Sequence, residues 1–322
     1  SQIAAFAYFW HMELIRLDEF RRYYNTHIFP ELQRTERLRR RLLTLLFLSA
    51  FFGIAAMIFV LSLGIALINL FLLLPFTFYL FYLGYRMQRF RQRFKPRIVG
   101  LILDFMNDTL NFSELHYESR NRIDKDTFLE SGLFKTTADY YEGEDYIRGR
   151  VGEMPFEMSE LVVREPAPMT NKLQDVFEGV FLYAVFPEED TEGSVIVWPR
   201  RRKQYLISAI KEYTWDGGFN QDYEIMNPLF RELFLVYAKE DTHVAGVLSE
   251  PMQDALVEYV KHTGKDIYIS FQDREIYAAV SEEKDLLEPS IFSTNASFEL
   301  IREFFRDLML VVKIVEDFDQ TH

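Results

Sequence analysis

From Leu42 to Tyr85 the chain runs for 44 residues without an Asp, Glu, Lys, Arg or His, and on either side of this run the hydrophobic pattern takes a different period. At 1.5 Å per residue a single helix over this run would measure about 66 Å, twice the hydrocarbon core of a bilayer, so the pattern predicts two transmembrane helices. A turn at Ser62-Leu63-Gly64 divides the run into spans over about 42–61 and 65–85, whereas a turn at Asn69 would leave the second span too short. Pro75 falls inside the second span, where a kink is tolerated if neighbouring helices or water satisfy the freed carbonyl.

Before the run, apolar Leu14, Leu17, Phe20, Tyr24 and Ile28 recur at helical spacing from Glu13 to Phe29, which predicts an amphipathic helix. Two placements are open for it, the headgroup plane or packing on the rest of the protein. Pro30 suits the first turn of a new helix, running on into the membrane. After the run, Ile98 to Asn107 continues as helix and Asp124 to Phe134 reads as a shorter one, ended near Gly132. From Asp145 the period drops to two. Strands are expected at Asp145–Val151, Phe156–Arg164, Gly179–Phe186, Ser194–Trp198 and Leu233–Tyr237, and a hairpin over Ile267–Phe271 and Ile276–Val280. Between them Ser249 reads as an N-cap and Gly264 as the stop of an amphipathic helix. A long helix from about Ala296 to Asp317 closes the chain. Its Phe298, Ile301, Phe305, Leu308, Val312 and Val315 fall at alternating three and four spacing; they are a candidate oligomer seam, or else the stripe that packs on the domain's own sheet.

These elements define four regions: juxtamembrane amphipathic and basic helices over 1–41, the two spans over 42–85, a basic stalk and helical collar over 86–140, and an α+β domain over 141–322. The expected fold class is therefore α+β, an N-terminal α-helical transmembrane hairpin plus a mainly antiparallel β domain with a long C-terminal helix. Seven strands and a closing helix are compatible with a pleckstrin-homology-like barrel, and equally with sandwiches and open sheets.

Charge changes the picture by fixing a side. Residues 1–100 hold 14 Lys+Arg against 5 Asp+Glu, whereas residues 101–322 hold 22 against 44. Arginines stand at both ends of the charge-free run and its centre is neutral, so the positive-inside rule puts both termini and the large domain in the cytoplasm. Arg39, Arg40, Arg41, Arg86, Arg89, Arg93 and Arg97 are candidate contacts for anionic lipid headgroups, the last four lying three and four apart on one helical face; topology alone explains them as well. The acidic domain argues against a nucleic-acid partner and is repelled by an anionic leaflet, so the basic stalk is expected to hold the membrane while the domain stands off. The chain has no cysteine, which excludes disulfides and thiolate chemistry and fits a reducing compartment. The opening Ser1-Gln2-Ile3 lacks the basic start of a cleavable signal peptide.

Little in the residues points to a reaction. The histidines, His11, His27, His116, His243, His262 and His322, are scattered without zinc-ligand spacing, and there is no Walker loop, dinucleotide fingerprint or nucleophile elbow. No cofactor, metal or catalytic residue is expected. Carboxylates abound, but abundance does not pick out a catalytic pair. One stretch departs from its surroundings: Arg200, Arg201, Arg202 and Lys203 follow Trp198-Pro199 in an otherwise acidic domain. They are a candidate partner or anion contact, or else a loop whose cations balance neighbouring carboxylates. The charge-free spans carry no ionisable group to conduct ions or relay protons. Ser49/Gly53 and Ser62/Ala66 are small-residue pairs that would let helices approach.

The order of motifs resembles an uncharacterised family of bacterial membrane proteins that carry a domain of unknown function. The resemblance rests on Leu17-Asp18-Glu19-Phe20, the hairpin, Phe177-Glu178-Gly179-Val180-Phe181, Val195-Ile196-Val197-Trp198-Pro199, Leu229 to Tyr237, Ile267 to Val280 and Asp285-Leu286-Leu287-Glu288-Pro289; residues 1–11 lie outside it. It implies the bacterial inner membrane, no catalytic residues, and a LemA-type membrane protein as partner, since genes of the two kinds often adjoin. The expected function is that of a non-catalytic, membrane-anchored cytoplasmic scaffold, homo-oligomeric and in contact with membrane lipids. An anionic-lipid-sensing module is the alternative, and a membrane-bound hydrolase stands third.

Overall fold

The computed structural model of the chain describes residues 18–64, 66–167, 172–186, 193–221 and 225–282, and beyond these Phe298, Ile301, Arg302, Phe304, Phe305, Arg306, Leu308, Met309 and Ile314. Val312 and Val315 of the candidate seam lie outside the described residues. The chain divides into two compact units, Ser1–Phe105 with Leu286–Phe304 and Met106–Asp285 with Phe305–His322.

The first unit is helical. Helix α1, Asp18–Ser62, is continuous; its α-helical stretch Phe29–Ser62 has Pro30 in its first turn, as the sequence predicts, but a π turn and not a break precedes it. A proline inside a helix cannot donate to the carbonyl four residues back and crowds it. The wider π turn over Tyr24–Ile28, directly ahead of Pro30, takes up that misfit without a break. Thr26 adds to the accommodation, its hydroxyl donating to the Arg22 and Tyr23 carbonyls at 3.0 and 3.2 Å. The helix stops at Ser62, the chain turns at Leu63 and Gly64, and helix α2 runs from Ala66 to Thr109 past both Pro75 and Pro96.

The two helices meet at two levels, each pair centred on Gly64 to within a residue. A Cβ on Gly53 would collide with the Phe76 ring, and Glu31 Oε2 accepts from Arg97 Nε at 2.9 Å. The small-residue position at Gly53 thus receives a side chain of the same polypeptide. Phe20, Tyr24, Ile28 and Leu32 on α1 and Leu83, Met87, Phe90, Phe94, Ile98 and Ile102 on α2 are buried at helical spacing. Phe20 lies against Phe105 with ring centroids 5.3 Å apart, and Tyr24 meets Phe298 edge-on at 4.8 Å. Helix α1 is long and apolar enough to cross a membrane, and the apolar window that passes this test is 0 % buried. Among the described residues none of that window is buried, although α2 comes alongside it at Gly53 and Phe76.

The second unit is built on one antiparallel sheet: β1 Phe112–Glu118, β2 Tyr140–Val151, β3 Met154–Pro166, β4 Leu173–Val185, β5 Ser194–Pro199, β6 Phe219–Gln221, β7 Phe234–Lys239, β8 Ile267–Gln272 and β9 Glu275–Ser281. Their spatial order is β1-β2-β3-β4-β9-β8-β5-β7-β6, with every neighbouring pair antiparallel. The sequence predicts seven of these strands. The other two, β1 and β6, are the sheet's ends, and among the described residues no ladder joins them into a barrel. β5, all six residues of it buried, sits between β8 and β7, which explains its unbroken apolar run.

Short helices fill the connections: α3 Lys125–Glu130, α4 Ile207–Trp215, α5 Pro228–Leu233, α6 Val244–Val247 and α7 Glu250–Thr263. α7 begins and ends as its sequence predicts, with Ser249 Oγ accepting from Met252 N and Gly264 in the left-handed conformation. α3 ends just ahead of Gly132, near where the sequence predicts, and Ser131 and Gly132 turn the chain so that the Leu133 carbonyl accepts from Trp198 Nε1 at 3.1 Å. Around that bond lies the core, in which Phe134 packs on Phe128, Phe177 and Tyr268 with centroids 5.6, 5.2 and 4.9 Å away. Each large apolar side chain so buried contributes about 1.5–3 kcal/mol.

Two glycines with positive φ separate backbone strain from crowding. At Gly264 (φ 70°) a Cβ meets open space, so Gly264→Ala is expected to cost about 1 kcal/mol, the left-handed penalty alone. At Gly179 (φ 149°), where β4 crosses to β9, a Cβ would run into the Val280 carbonyl, so Gly179→Ala is expected to exceed that by about 1–3 kcal/mol. Denaturant midpoints of the detergent-solubilised full chain check both; equal shifts would refute the distinction.

Candidate functional site

In the helical unit, the arginines fall into two groups. Arg39 is only 6 % exposed and grips Glu36 with both arms, Nε to Oε2 at 2.8 Å and Nη2 to Oε1 at 2.6 Å. As a lipid contact Arg39 is therefore corrected: its guanidinium is buried inside the unit with a carboxylate. Arg40 shares Glu36 at 3.0 Å but is otherwise exposed, and Arg41 is exposed. On α2 the buried positions Leu83, Met87, Phe90, Phe94 and Ile98 leave Arg89, Arg93 and Arg97 on the outer face, with Arg86 half-buried at its edge. Arg86 and Arg89 lie 5.8 and 6.0 Å from the ring centroids of Tyr82 and Tyr85, one turn earlier.

The candidate seam is mostly spent inside one chain. Ile301, Phe305 and Leu308 are buried in it, and Phe298 is half-buried with the Arg21 guanidinium 5.8 Å above its ring. Their surface is used by the chain's own packing, which leaves these side chains little to offer a second subunit.

In the sheet unit, the cations at 200–203 form a 3-10 turn directly after β5. Arg200 donates to the carbonyls of Arg231 at 2.9 Å and Phe234 at 3.1 Å, tying α5 and β7 to that turn. Arg201 and Arg202 both pair with Asp266, a carboxylate only 1 % exposed at the start of β8, with Arg202 Nε 2.5 Å from Oδ2. Arg201 also donates from Nη2 to the Gly264 carbonyl at 2.5 Å. A carboxylate so deeply buried is costly unless matched by charge and hydrogen bonds, and two guanidiniums supply both. The reading in which this loop balances neighbouring carboxylates thus describes Arg201 and Arg202, whereas Arg200 is held by backbone carbonyls. Lys203 stays exposed. A cleft of about 310 Å³ opens here between Arg200, Arg201, Glu232, Phe234, Lys265 and Asp266.

A second cluster carries no sequence signal. Glu144 of β2 faces Glu160 of β3 across the ladder, Asp145 sits in the irregularity that follows with φ 57°, and one oxygen from each of the three lies within 4.8 Å of the others. The Tyr117 hydroxyl of β1 donates to Asp145 Oδ1 at 2.5 Å. Sequence reasoning passes over this trio because only strand pairing joins Glu144 to Glu160. Three carboxylate oxygens are the donor type a hard divalent cation takes, though such a cation asks for six or more oxygens. Burial first, then the charge of Asp145 and its hydrogen bond, push the Tyr117 phenol far above its ordinary range.

The class defined so far is an α+β chain: an N-terminal helix long and apolar enough to cross a membrane, and an antiparallel sheet domain. Over residues 175–320, from β4 through the C-terminal helical residues, the chain is similar to a family described as "Protein of unknown function (DUF3137)". That match contains the motifs from Phe177 onward and leaves out β1 to β3 and helices α1 and α2. No curated protein and no solved structure matches the chain.

Two outcomes follow from these contacts. Asp266→Asn keeps the shape but removes the charge that holds two guanidiniums, and is expected to cost about 1.5–3 kcal/mol in a denaturant titration; a shift near zero would mean that the arginines simply move into water. Burial also raises the phenols of Tyr117, Tyr141, Tyr183, Tyr268 and Tyr277, and pushes Tyr146 and Tyr213 up to about 12. The folded state keeps these groups protonated. Their stabilisation is therefore full below the unfolded phenol value of about 10 and declines as pH climbs above it. Tyrosinate absorbance of the folded chain is expected to lag behind that of the denatured chain through this window, and coincident curves would refute it.

Proposed function

We propose that this chain is a non-catalytic scaffold anchored in the bacterial inner membrane by two spans, with both termini and the sheet domain in the cytoplasm, and that it acts as a homo-oligomer. The observation that carries the reading is the apolar window of α1, 0 % buried and preceded by Arg39, Arg40 and Arg41. Such a surface is tolerated only against lipid or another protein. The contact of Gly53 with Phe76 supports α2 as the second span, since it brings the charge-free half of α2 alongside α1. A role without catalysis is supported by the tetrad, the strongest chemical outlier in the sequence, whose three arginines bond within their own domain. The LemA-type partner belongs to this reading as what the resemblance implies, and the pleckstrin-homology-like arrangement as what the strand count and a closing helix are compatible with.

A second reading, an anionic-lipid-sensing module, draws on the outward face of Arg89, Arg93 and Arg97. One pair of measurements separates the two. The chain lacks cysteine, so Leu63→Cys and Glu130→Cys each create a unique thiol. An impermeant maleimide applied to intact cells stripped of their outer membrane is expected to label the first and spare the second until lysis; labelling of both from one side would sink the two-span topology. Native mass measurement of detergent-extracted protein is expected to give a defined oligomer, whereas a monomer carrying bound anionic lipid would favour the sensor.

A further inference from the structure

The outer face of α4 is the part of the sheet domain that its own packing does not use. Leu206, Ala209, Ile210 and Tyr213 turn inward on the core, while Ile207, Lys211 and Trp215, spaced by four, line up outward. Tyr205 and Trp215 are 81 % and 78 % exposed, and with half-exposed Ile207 they make up half of the large exposed hydrophobics among the described residues of this unit. Each ring carries a cation: Arg202 lies 5.8 Å from the Tyr205 centroid and Lys211 5.8 Å from that of Trp215. From Arg200 to Lys211 the sequence holds five cations and no carboxylate, in a region where acids outnumber bases two to one. The nearby Glu212 is engaged by Lys135.

We propose that this face, Lys203, Tyr205, Ile207, Lys211 and Trp215, docks the sheet domain on the anionic leaflet of the bilayer that holds the chain. Trp and Tyr with flanking Lys and Arg are the composition that settles at a membrane–water interface, rings among the headgroups and cations against lipid phosphate. An acidic protein surface would match the cations but leave two large aromatics in contact with carboxylates; the leaflet satisfies both. The domain's net acidity opposes contact elsewhere, so adhesion is confined to this face and is salt-sensitive. The proposal rests on the anchored reading, because tethering raises the effective concentration of a weak interfacial contact without any new interaction.

The test uses the full chain with the single substitution Ser208→Cys, an exposed position beside the stripe, carrying a nitroxide and reconstituted into liposomes. Flotation after a high-pH wash reports anchoring; relative collision rates with oxygen and a nickel chelate report whether the label is in lipid or water. In phosphatidylcholine mixed with phosphatidylglycerol the label is expected to move toward lipid, and in phosphatidylcholine alone to stay in water. Replacing Lys203 and Lys211 by Gln is expected to weaken docking by about thirtyfold, the loss for two lysines at an anionic surface. Trp215→Ala weakens it as well, with the thermal transition of the domain retained. A floated protein whose label stays wet in both lipids overturns docking and leaves anchoring intact. A label shielded in both lipids in proportion to protein density overturns it in favour of a second copy. Protein that does not float overturns the anchored reading and docking together.

Discussion

A helix with a wide apolar surface that the described residues leave unburied sets the terms for the rest of this molecule. Along the window of α1 that passes for a membrane span, 0 % is buried, and Phe47, Phe51, Phe52 and Phe59 stand exposed. Transfer of such rings out of water is strongly favourable, while the helical backbone already satisfies its own hydrogen bonds, so a lipid environment has no cost to set against that gain. Below this surface the pattern inverts. Phe20, Tyr24, Ile28 and Leu32 find partners within the chain, and the charged groups beside them pair up, as Arg39 does with Glu36 and Arg97 with Glu31.

The sheet domain solves a different problem, that of burying polar groups. Its central strands are apolar throughout, yet Asp266, Ser270, Ser194 and Ser159 are buried among them. Each serves the fold: Asp266 gathers Arg201 and Arg202, Ser159 accepts from the Ile123 amide at 3.1 Å, and Trp198 reaches the Leu133 carbonyl. An unpaired polar group in such a core costs as much as a large cavity, which is why the basic turn after β5 is bound so closely into its own domain. What remains for outside contacts is the surface these pairings leave over, chiefly the outer face of α4.

Long or strongly patterned features were legible in advance. The helix boundary near Ser62, the caps of α7 at Ser249 and Gly264, and the β8–β9 hairpin each carry local signals that tertiary contacts did not need to override. The features that escaped have physical reasons to be silent. β1 and β6 are edge strands, half-exposed or very short, with no alternation to detect. α5 is announced only by Asn227-Pro228, where the Asn227 side chain accepts from the Leu229 and Phe230 amides, and its last residue, Leu233, reads equally well as the start of β7. Pro30 signals a helix start by the same rule that would serve at a true terminus; the π turn that absorbs it leaves no mark in composition.

By itself the sequence determined that α1 carries a stretch long and apolar enough to cross a membrane, the asymmetry of charge around the Leu42–Tyr85 run, and the α+β class, because length, charge and period are sums over many residues and survive any detail of packing. Only the tertiary structure decided which charges are available. Arg39, Arg201 and Arg202 are indistinguishable in the sequence from Arg41, Arg93 and Lys203, yet the first three are held by buried carboxylates and the others face outward. The partner in each case comes from another position on the chain, as much as 65 residues away for Arg201 and Asp266, and proximity of that kind exists only once the chain has folded.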